Sequence, residues 1–171
     1  MGLQKILFTL LIFTNMAAYP QNKTDLSNVK FNEDPKVLMN GNSDIREGKM
    51  FDNADMISYG VQNKTLSFNG YIPDHIEILS YKGTLAGYAF KIRTLTDQNK
   101  LATFIKDKYK NITIRKSRLV TVYTYKDNAI VIDFQEIDKE QFKNGATGYL
   151  SVKRTDFYNI YEELMKQYSK P

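Results

Sequence analysis

The sequence predicts an α+β fold: an antiparallel sheet of about five to six strands with two helices packed on one face, preceded by a weakly structured N-terminal arm. Three observations carry this expectation. Apolar residues alternate with period two over residues 75–92 and again over 112–134. Two stretches, 97–109 and 155–168, instead place apolar residues at helical spacing. Residues 21–60 are rich in Asn, Asp, Gly and Lys and show only short apolar islands.

The chain opens with Lys5 followed by an apolar run from Ile6 to Ala18, and polarity returns at Gln21-Asn22-Lys23. That layout is that of a secretory signal peptide over residues 1–20, cut after Ala18 or after Pro20. A spanning helix needs roughly 20 apolar residues, so the run is too short for a stable anchor. There is no cysteine, which excludes a lipid-modified cysteine at the cut and any disulfide framework. The expected location is therefore periplasmic or secreted, in a bacterium, with stability drawn from an ordinary hydrophobic core. Three glycosylation sequons, at Asn22, Asn63 and Asn111, have meaning only in a eukaryotic secretory route.

Residues 21–65 read as an arm that lies on the domain behind it. Asn40-Gly41-Asn42-Ser43-Asp44 is a turn cluster, and Val29, Val37-Leu38-Met39 and Met56-Ile57 mark one or two short strands. Residues 66–171 form the main domain. Ile76 and Ile78 alternate with His75, Glu77 and Leu79, and Tyr81-Lys82-Gly83-Thr84 turns the chain. Ala86, Tyr88, Phe90 and Ile92 then alternate with Gly87, Ala89 and Lys91, which makes a β-hairpin. Gly87, inside a strand, marks a bulge or a close backbone contact. Thr96 or Asp97 caps a helix to about Tyr109, with Leu101, Phe104, Ile105 and Tyr109 on its apolar side. A meander over residues 112–134, a strand at 149–152 and a helix capped by Thr155 complete the order. Phe157, Ile160, Tyr161, Leu164, Met165 and Tyr168 form the last helix's continuous stripe.

Charge is unevenly spread. Nine acidic side chains face five basic ones over residues 25–79, whereas seventeen basic face ten acidic over 80–171. The densest basic stretch holds Lys106, Lys108, Lys110, Arg115, Lys116 and Arg118. Lysines near a helix C-terminus also answer its dipole, so part of this stretch has an ordinary structural reading. Its functional reading is an acidic protein or an anionic envelope polymer, whose encounter rate a basic patch raises. An exported chain is not expected to meet nucleic acid.

Catalytic and metal-binding patterns are weak. The one histidine, His75, shares a strand side with Glu77, but no nucleophile or nucleophile-elbow glycine pattern accompanies it. Without cysteine, one histidine does not make a transition-metal set. Asp133, Glu136, Asp138 and Glu140 lack the spacing and glycine of a helix–loop–helix calcium loop and read as a solvated acidic loop. No cofactor is expected. A carboxylate-only polysaccharide hydrolase requires Glu77 with Asp74 or Asp133 in one pocket.

Twelve tyrosines and no tryptophan make tyrosine the main aromatic. Tyrosine suits half-buried sheet surfaces and interfaces alike. Tyr123 and Tyr125, with Leu119, Thr121, Leu79 and Tyr81, are expected on the sheet face left open by the helices, beside the basic stretch. The strand, Lys-Gly turn, strand, helix ending in Lys-Tyr-Lys-Asn (108–111) and meander look like a pattern common in small exported bacterial proteins. That resemblance implies toxin-neutralising, enzyme-inhibiting or envelope-bracing partners and assigns no site residue. The expected function is a non-enzymatic binding protein, with an envelope assembly subunit as the alternative.

Overall fold

The computed structural model describes residues 23–169. The expected leader falls outside the described residues, as do the final two positions. Among the described residues, no helix is long and apolar enough to cross a membrane.

Among the described residues, ten strands and four α-helices follow in order: β1 (Thr24–Asp25), a 3-10 turn (Leu26–Asn28), α1 (Pro35–Met39), β2 (Ser43–Met50), β3 (Asn53–Gln62), β4 (Leu66–Ser67), β5 (His75–Tyr81), β6 (Thr84–Ile92), α2 (Leu95–Lys108), β7 (Thr113–Lys116), β8 (Thr121–Lys126), β9 (Ile130–Glu136), α3 (Lys139–Lys143), β10 (Gly148–Arg154) and α4 (Thr155–Tyr168). Eight of the strands form one sheet in the order β2-β3-β5-β6-β10-β9-β8-β7, antiparallel at every step. The chain builds one half as a meander, crosses through α2 to the far edge, and meanders back so that β10 pairs with β6 at the centre. β1 and β4 make a separate two-stranded parallel pair.

The α+β class and the antiparallel sheet match the expectation, but the sheet has eight strands rather than five or six. The added strands come from residues expected to be a weakly structured arm. Residues 43–62 form the β2–β3 hairpin at the sheet edge. Upstream of it, Leu26, Leu38 and Met39 are buried in the main core. The hairpin escapes local reading because of its turn. Phe51 and Asp52 occupy the two central positions, both with positive φ (52° and 53°), where such turns ordinarily use Asn or Gly. Phe51 holds that left-handed backbone inside an aromatic clamp, with Tyr161 and Tyr168 rings at 5.4 and 5.3 Å. Its carbonyl accepts a 2.9 Å hydrogen bond from the Tyr168 hydroxyl.

The β5–β6 hairpin carries its turn residues openly: Lys82 and Gly83 have φ of 51° and 77°. Leu79 pairs with Gly87 and Ser80 with Leu85, so Ala86 is an extra, bulged residue. Gly87 is also a point of close approach. A Cβ there would lie 2.7 Å from the Val152 carbonyl oxygen of β10.

The two long helices sit on opposite faces of the sheet, not on one. Leu101, Ala102 and Ile105 of α2 pack with Ile76, Ile78, Tyr88, Phe90, Ile132, Phe134, Leu150 and Val152. Phe157 of α4 packs with Met56, Leu79 and Ala86, which point the other way. The physical reason is occupancy. The first face is already filled by α2 together with Leu26, Leu38, Met39, Leu66 and Phe68 from the N-terminal segments. The stripe of α4 therefore finds its apolar partners only on the second face.

Two helix starts differ from expectation. Thr94, not Thr96 or Asp97, caps α2, its hydroxyl accepting the Asp97 amide at 3.1 Å. Helix α4 has no side-chain cap. Thr155 is its first residue, and its hydroxyl donates to the Asp127 carbonyl at 2.9 Å. The stretch expected to be an acidic loop contains α3, started by a capping box of Asp138 and Gln141.

Candidate functional site: a polar trough on the second sheet face

Side chains on the second face follow from strand register. One cross-sheet row runs Arg46, Gly60, Glu77, Ala89, Ser151, Asp133 and Thr124. Every member is charged, polar or small. The next row toward the β10 N-terminus includes Gln62, His75, Lys91, Tyr149 and Gln135. Helix α4 is anchored by Phe157 over Met56, Leu79 and Ala86, at the opposite end of these strands. It therefore leaves exposed the end of these rows that holds Arg46, Gly60, His75 and Glu77.

The result is a trough of about 680 Å³, floored by Ser58, Gly60 and Ala89. Its walls carry Asp44, Arg46, Gln62, Asp74, His75, Glu77, Lys91, Arg93 and Tyr149. That volume is in the range of ligand sites, and apolar Val61, Ile76 and Phe90 line it beside the charged groups. Three of the wall groups make side-chain contacts. Arg93 Nε meets Asp74 Oδ2 at 2.8 Å, and the Ser58 hydroxyl donates to Glu77 Oε1 at 2.7 Å. Three carboxylates face two arginines, a lysine and the imidazole, so the trough offers both hydrogen-bond donors and acceptors with little net sign.

A second group of polar side chains lies between β10 and α4. Lys153 Nζ donates to Ser151 Oγ at 3.0 Å and lies 5.3 Å over the Tyr161 ring. Burial lowers the Lys153 ammonium pKa, while Asp133, Glu162 and Glu77 oppose that shift. Tyr149 is pushed up to about 12 by burial first, then by the Glu77 carboxylate, Tyr161 and Asp133. The Thr124 hydroxyl donates to Asp133 Oδ1 at 2.7 Å, closing the row on the β8 side.

The residues singled out from sequence do not form one surface. Tyr123 and Tyr125 lie on the α2 face, and Leu79 and Tyr81 lie on the α4 face. Tyr123 is buried against Phe134 (6.0 Å between ring centroids), and its hydroxyl donates to Glu136 Oε2 at 2.7 Å. Its pKa rises to about 12, through burial first and then that hydrogen bond. Tyr125 packs on Tyr109 at 4.8 Å and donates to Asp127 Oδ2 at 2.8 Å. Neither tyrosine sits on an open recognition face.

The lysines at the end of α2 have local structural contacts. Lys106 Nζ caps the Tyr123 ring at 4.4 Å. Lys108 Nζ donates to the Ser27 carbonyl at 3.2 Å and lies over Phe104 and Tyr109. Lys110 Nζ donates to the Asp107 carbonyl at 3.2 Å. Arg115 and Lys116 stand on the outermost strand β7, with Arg118 in the turn after it, and all three are exposed. None of the six makes a carboxylate ion pair among the described residues.

The trough joins residues that sequence reading had kept apart. His75 and Glu77 do share one side of β5, as their alternation implied. Arg46, Lys91 and Tyr149 join them through pairings between distant strands, for which the local pattern carries no signal. Glu77 and Asp133 share a row but are separated by β6 and β10. Three strand spacings put their backbones about 14 Å apart. Asp74 and Glu77 do line the trough together, the pairing that a carboxylate hydrolase requires, with Asp74 also meeting Arg93 at 2.8 Å. No protein-family model, curated protein or solved structure matches this chain.

Proposed function

We propose that this protein is a non-enzymatic binding protein of the periplasm or cell exterior, and that the trough on its second sheet face holds the ligand. The observation that supports this is the trough itself: an open concavity of about 680 Å³ floored by small residues and walled by balanced charges. Hydroxyl-rich ligands both donate and accept hydrogen bonds, and sugar faces stack on aromatic rings. Arg46, His75, Glu77, Lys91 and Gln62 supply the first requirement and Tyr149 the second. The ligand class that fits is a polar glycan segment of the cell envelope.

An envelope assembly subunit is the second reading. It has support in the exposed β2 and β7 edges at the two ends of the sheet.

The test is titration of the isotope-labelled protein with soluble oligosaccharides from bacterial cell wall and exopolysaccharide, followed by amide shifts. Shifts should concentrate on β3, β5, β6 and β10. Gly60→Leu places a side chain over the trough floor and should abolish them, while Leu119→Ala, remote from the trough, should not. Absence of shifts with every glycan, or shifts unaffected by Gly60→Leu, refutes the assignment.

A further inference from the structure

We propose that the outer edge of β7 is a docking site for an extended acidic peptide segment, which adds to the sheet as a ninth strand. This surface is separate from the trough and does not depend on its ligand.

The first support is topological. β7 is the terminal strand of the sheet and pairs only with β8. Alternate residues of Thr113–Lys116 therefore direct N–H and C=O groups away from β8, and among the described residues no further strand receives them. The second support is the sign of the charge. Register pairs Ile114 with Tyr123 and Lys116 with Thr121, on the α2 face. Arg115 pairs with Val122 and projects to the α4 face. A cation therefore flanks the edge on each face, and Arg118 lies just beyond the strand end. None of these three has a carboxylate within ion-pairing distance among the described residues.

Charged side chains on an edge strand commonly block aggregation, and this structure allows that role to be separated from docking. The opposite edge, β2, carries Asp44, Arg46, Glu47 and Lys49, a mixture that favours no single sign. Every charged side chain on the β7 edge is a cation. It repels apolar strands through desolvation and repels a second β7 through like charge, but it complements an acidic strand. The guard and the selectivity arise from the same residues.

Register specifies the partner's side chains. In an antiparallel addition, residues opposite Lys116, Arg115, Ile114 and Thr113 are met in that order from the partner's N-terminal side. Directly opposed side chains share a face. The matching segment is acidic, acidic, aliphatic, then polar. Ile114, 52% exposed, supplies the apolar contact. Main-chain pairing supplies affinity and these side-chain positions supply selectivity.

The experiment uses a capped, labelled ten-residue peptide with Glu-Asp-Ile-Thr at its centre, and reads binding by anisotropy. Binding should be saturable and weaken with salt. Arg115→Glu with Lys116→Glu should weaken it by about tenfold or more. The same double variant should gain binding to a Lys-Lys-Ile-Thr peptide. N-methylation of alternate peptide amides is the decisive arm, because only one alternating set faces β7. Methylating that set should abolish binding, and methylating the other should not. Gly60→Leu should leave the affinity unchanged. No saturable binding, equal loss from both methylated sets, or no gain by the charge-swapped pair overturns strand addition. Equal binding of heparin or polyphosphate would mark the edge as a general polyanion patch and overturn it as well.

Discussion

Gln98 is a fully buried polar side chain that holds two backbone groups at once. It lies in the first turns of α2, fully buried. Its Nε2 donates to the Ile137 carbonyl at 2.8 Å, and its Oε1 accepts from the Ile137 amide at 3.1 Å. One side chain thus satisfies both backbone groups of a buried residue between β9 and α3. Gln98→Leu removes both partners at once. Each stranded buried group costs about 1–3 kcal/mol, and the added apolar surface offsets about 1 kcal/mol. The net loss is centred near about 3 kcal/mol, or roughly 6–12 °C in Tm for a domain of this size. Urea unfolding followed by far-ultraviolet circular dichroism measures it. Gln98→Glu separates the two bonds. A neutral carboxylic acid can still donate to the Ile137 carbonyl, and a carboxylate cannot. Its folded pKa is therefore raised above the ordinary value of about 4.3. The stability tied to the proton is fully present below that ordinary value and is lost as pH rises through the raised folded value. A loss below about 1 kcal/mol for Gln98→Leu, with a Gln98→Glu stability that does not fall across that rise, refutes the role assigned to this amide.

Three further outcomes follow from packing and titration. Gly87→Ala forces a Cβ to within 2.7 Å of the Val152 carbonyl and 3.2 Å of the Lys153 Cα, so it should cost about 1–3 kcal/mol in a urea melt. Phe157→Ala removes the one fully buried residue of α4. It should cost about 3–5 kcal/mol, with amide exchange accelerating in α4 while the central strands stay protected. Tyr123 and Tyr149 both have pKa values raised to about 12 by burial first. Their contribution is fully present below the ordinary value near 10 and is lost as pH rises from there to about 12. Tyr123→Phe or Tyr149→Phe should flatten the alkaline decline of Tm.

Local signals carried far in some elements and failed in others for identifiable reasons. The β5–β6 hairpin was legible because period-two alternation and a Lys82-Gly83 turn agree. The β2–β3 hairpin was not, because its turn places Phe51 in a left-handed conformation that only contacts from α4, more than a hundred residues away, explain. Its edge strand β2 also faces water along most of its length, so no apolar alternation announced it. Asp138 and Gln141 carried a readable helix-start signal for α3 that the acidic composition obscured. The stripe of α4 was plain, but its destination depends on what already fills the first face. The same long-range fact decides which face is open, and so misplaced Tyr123 and Tyr125 as exposed. Within the trough, His75 and Glu77 were legible as a co-facing pair. Arg46, Lys91 and Tyr149 reach them only through strand register.

Gly60 offers a way to separate stability from binding in that trough. It lies mid-strand in β3 without positive φ. The atom nearest to an added Cβ is the Arg46 carbonyl oxygen, at 3.9 Å. Neither backbone conformation nor packing therefore requires glycine there, unlike Gly87. A glycine inside a strand costs about 0.5–1 kcal/mol relative to alanine, through the freedom it loses on folding. Its place in the row between Arg46 and Glu77 leaves the trough floor without a side chain there, which the proposed glycan site uses. Gly60→Ala should therefore raise stability by up to about 1 kcal/mol and weaken glycan binding, with Gly60→Leu abolishing it. If Gly60→Ala destabilises the fold, the glycine serves packing. If it stabilises the fold and leaves ligand affinity intact, the floor of the trough is not where the ligand sits.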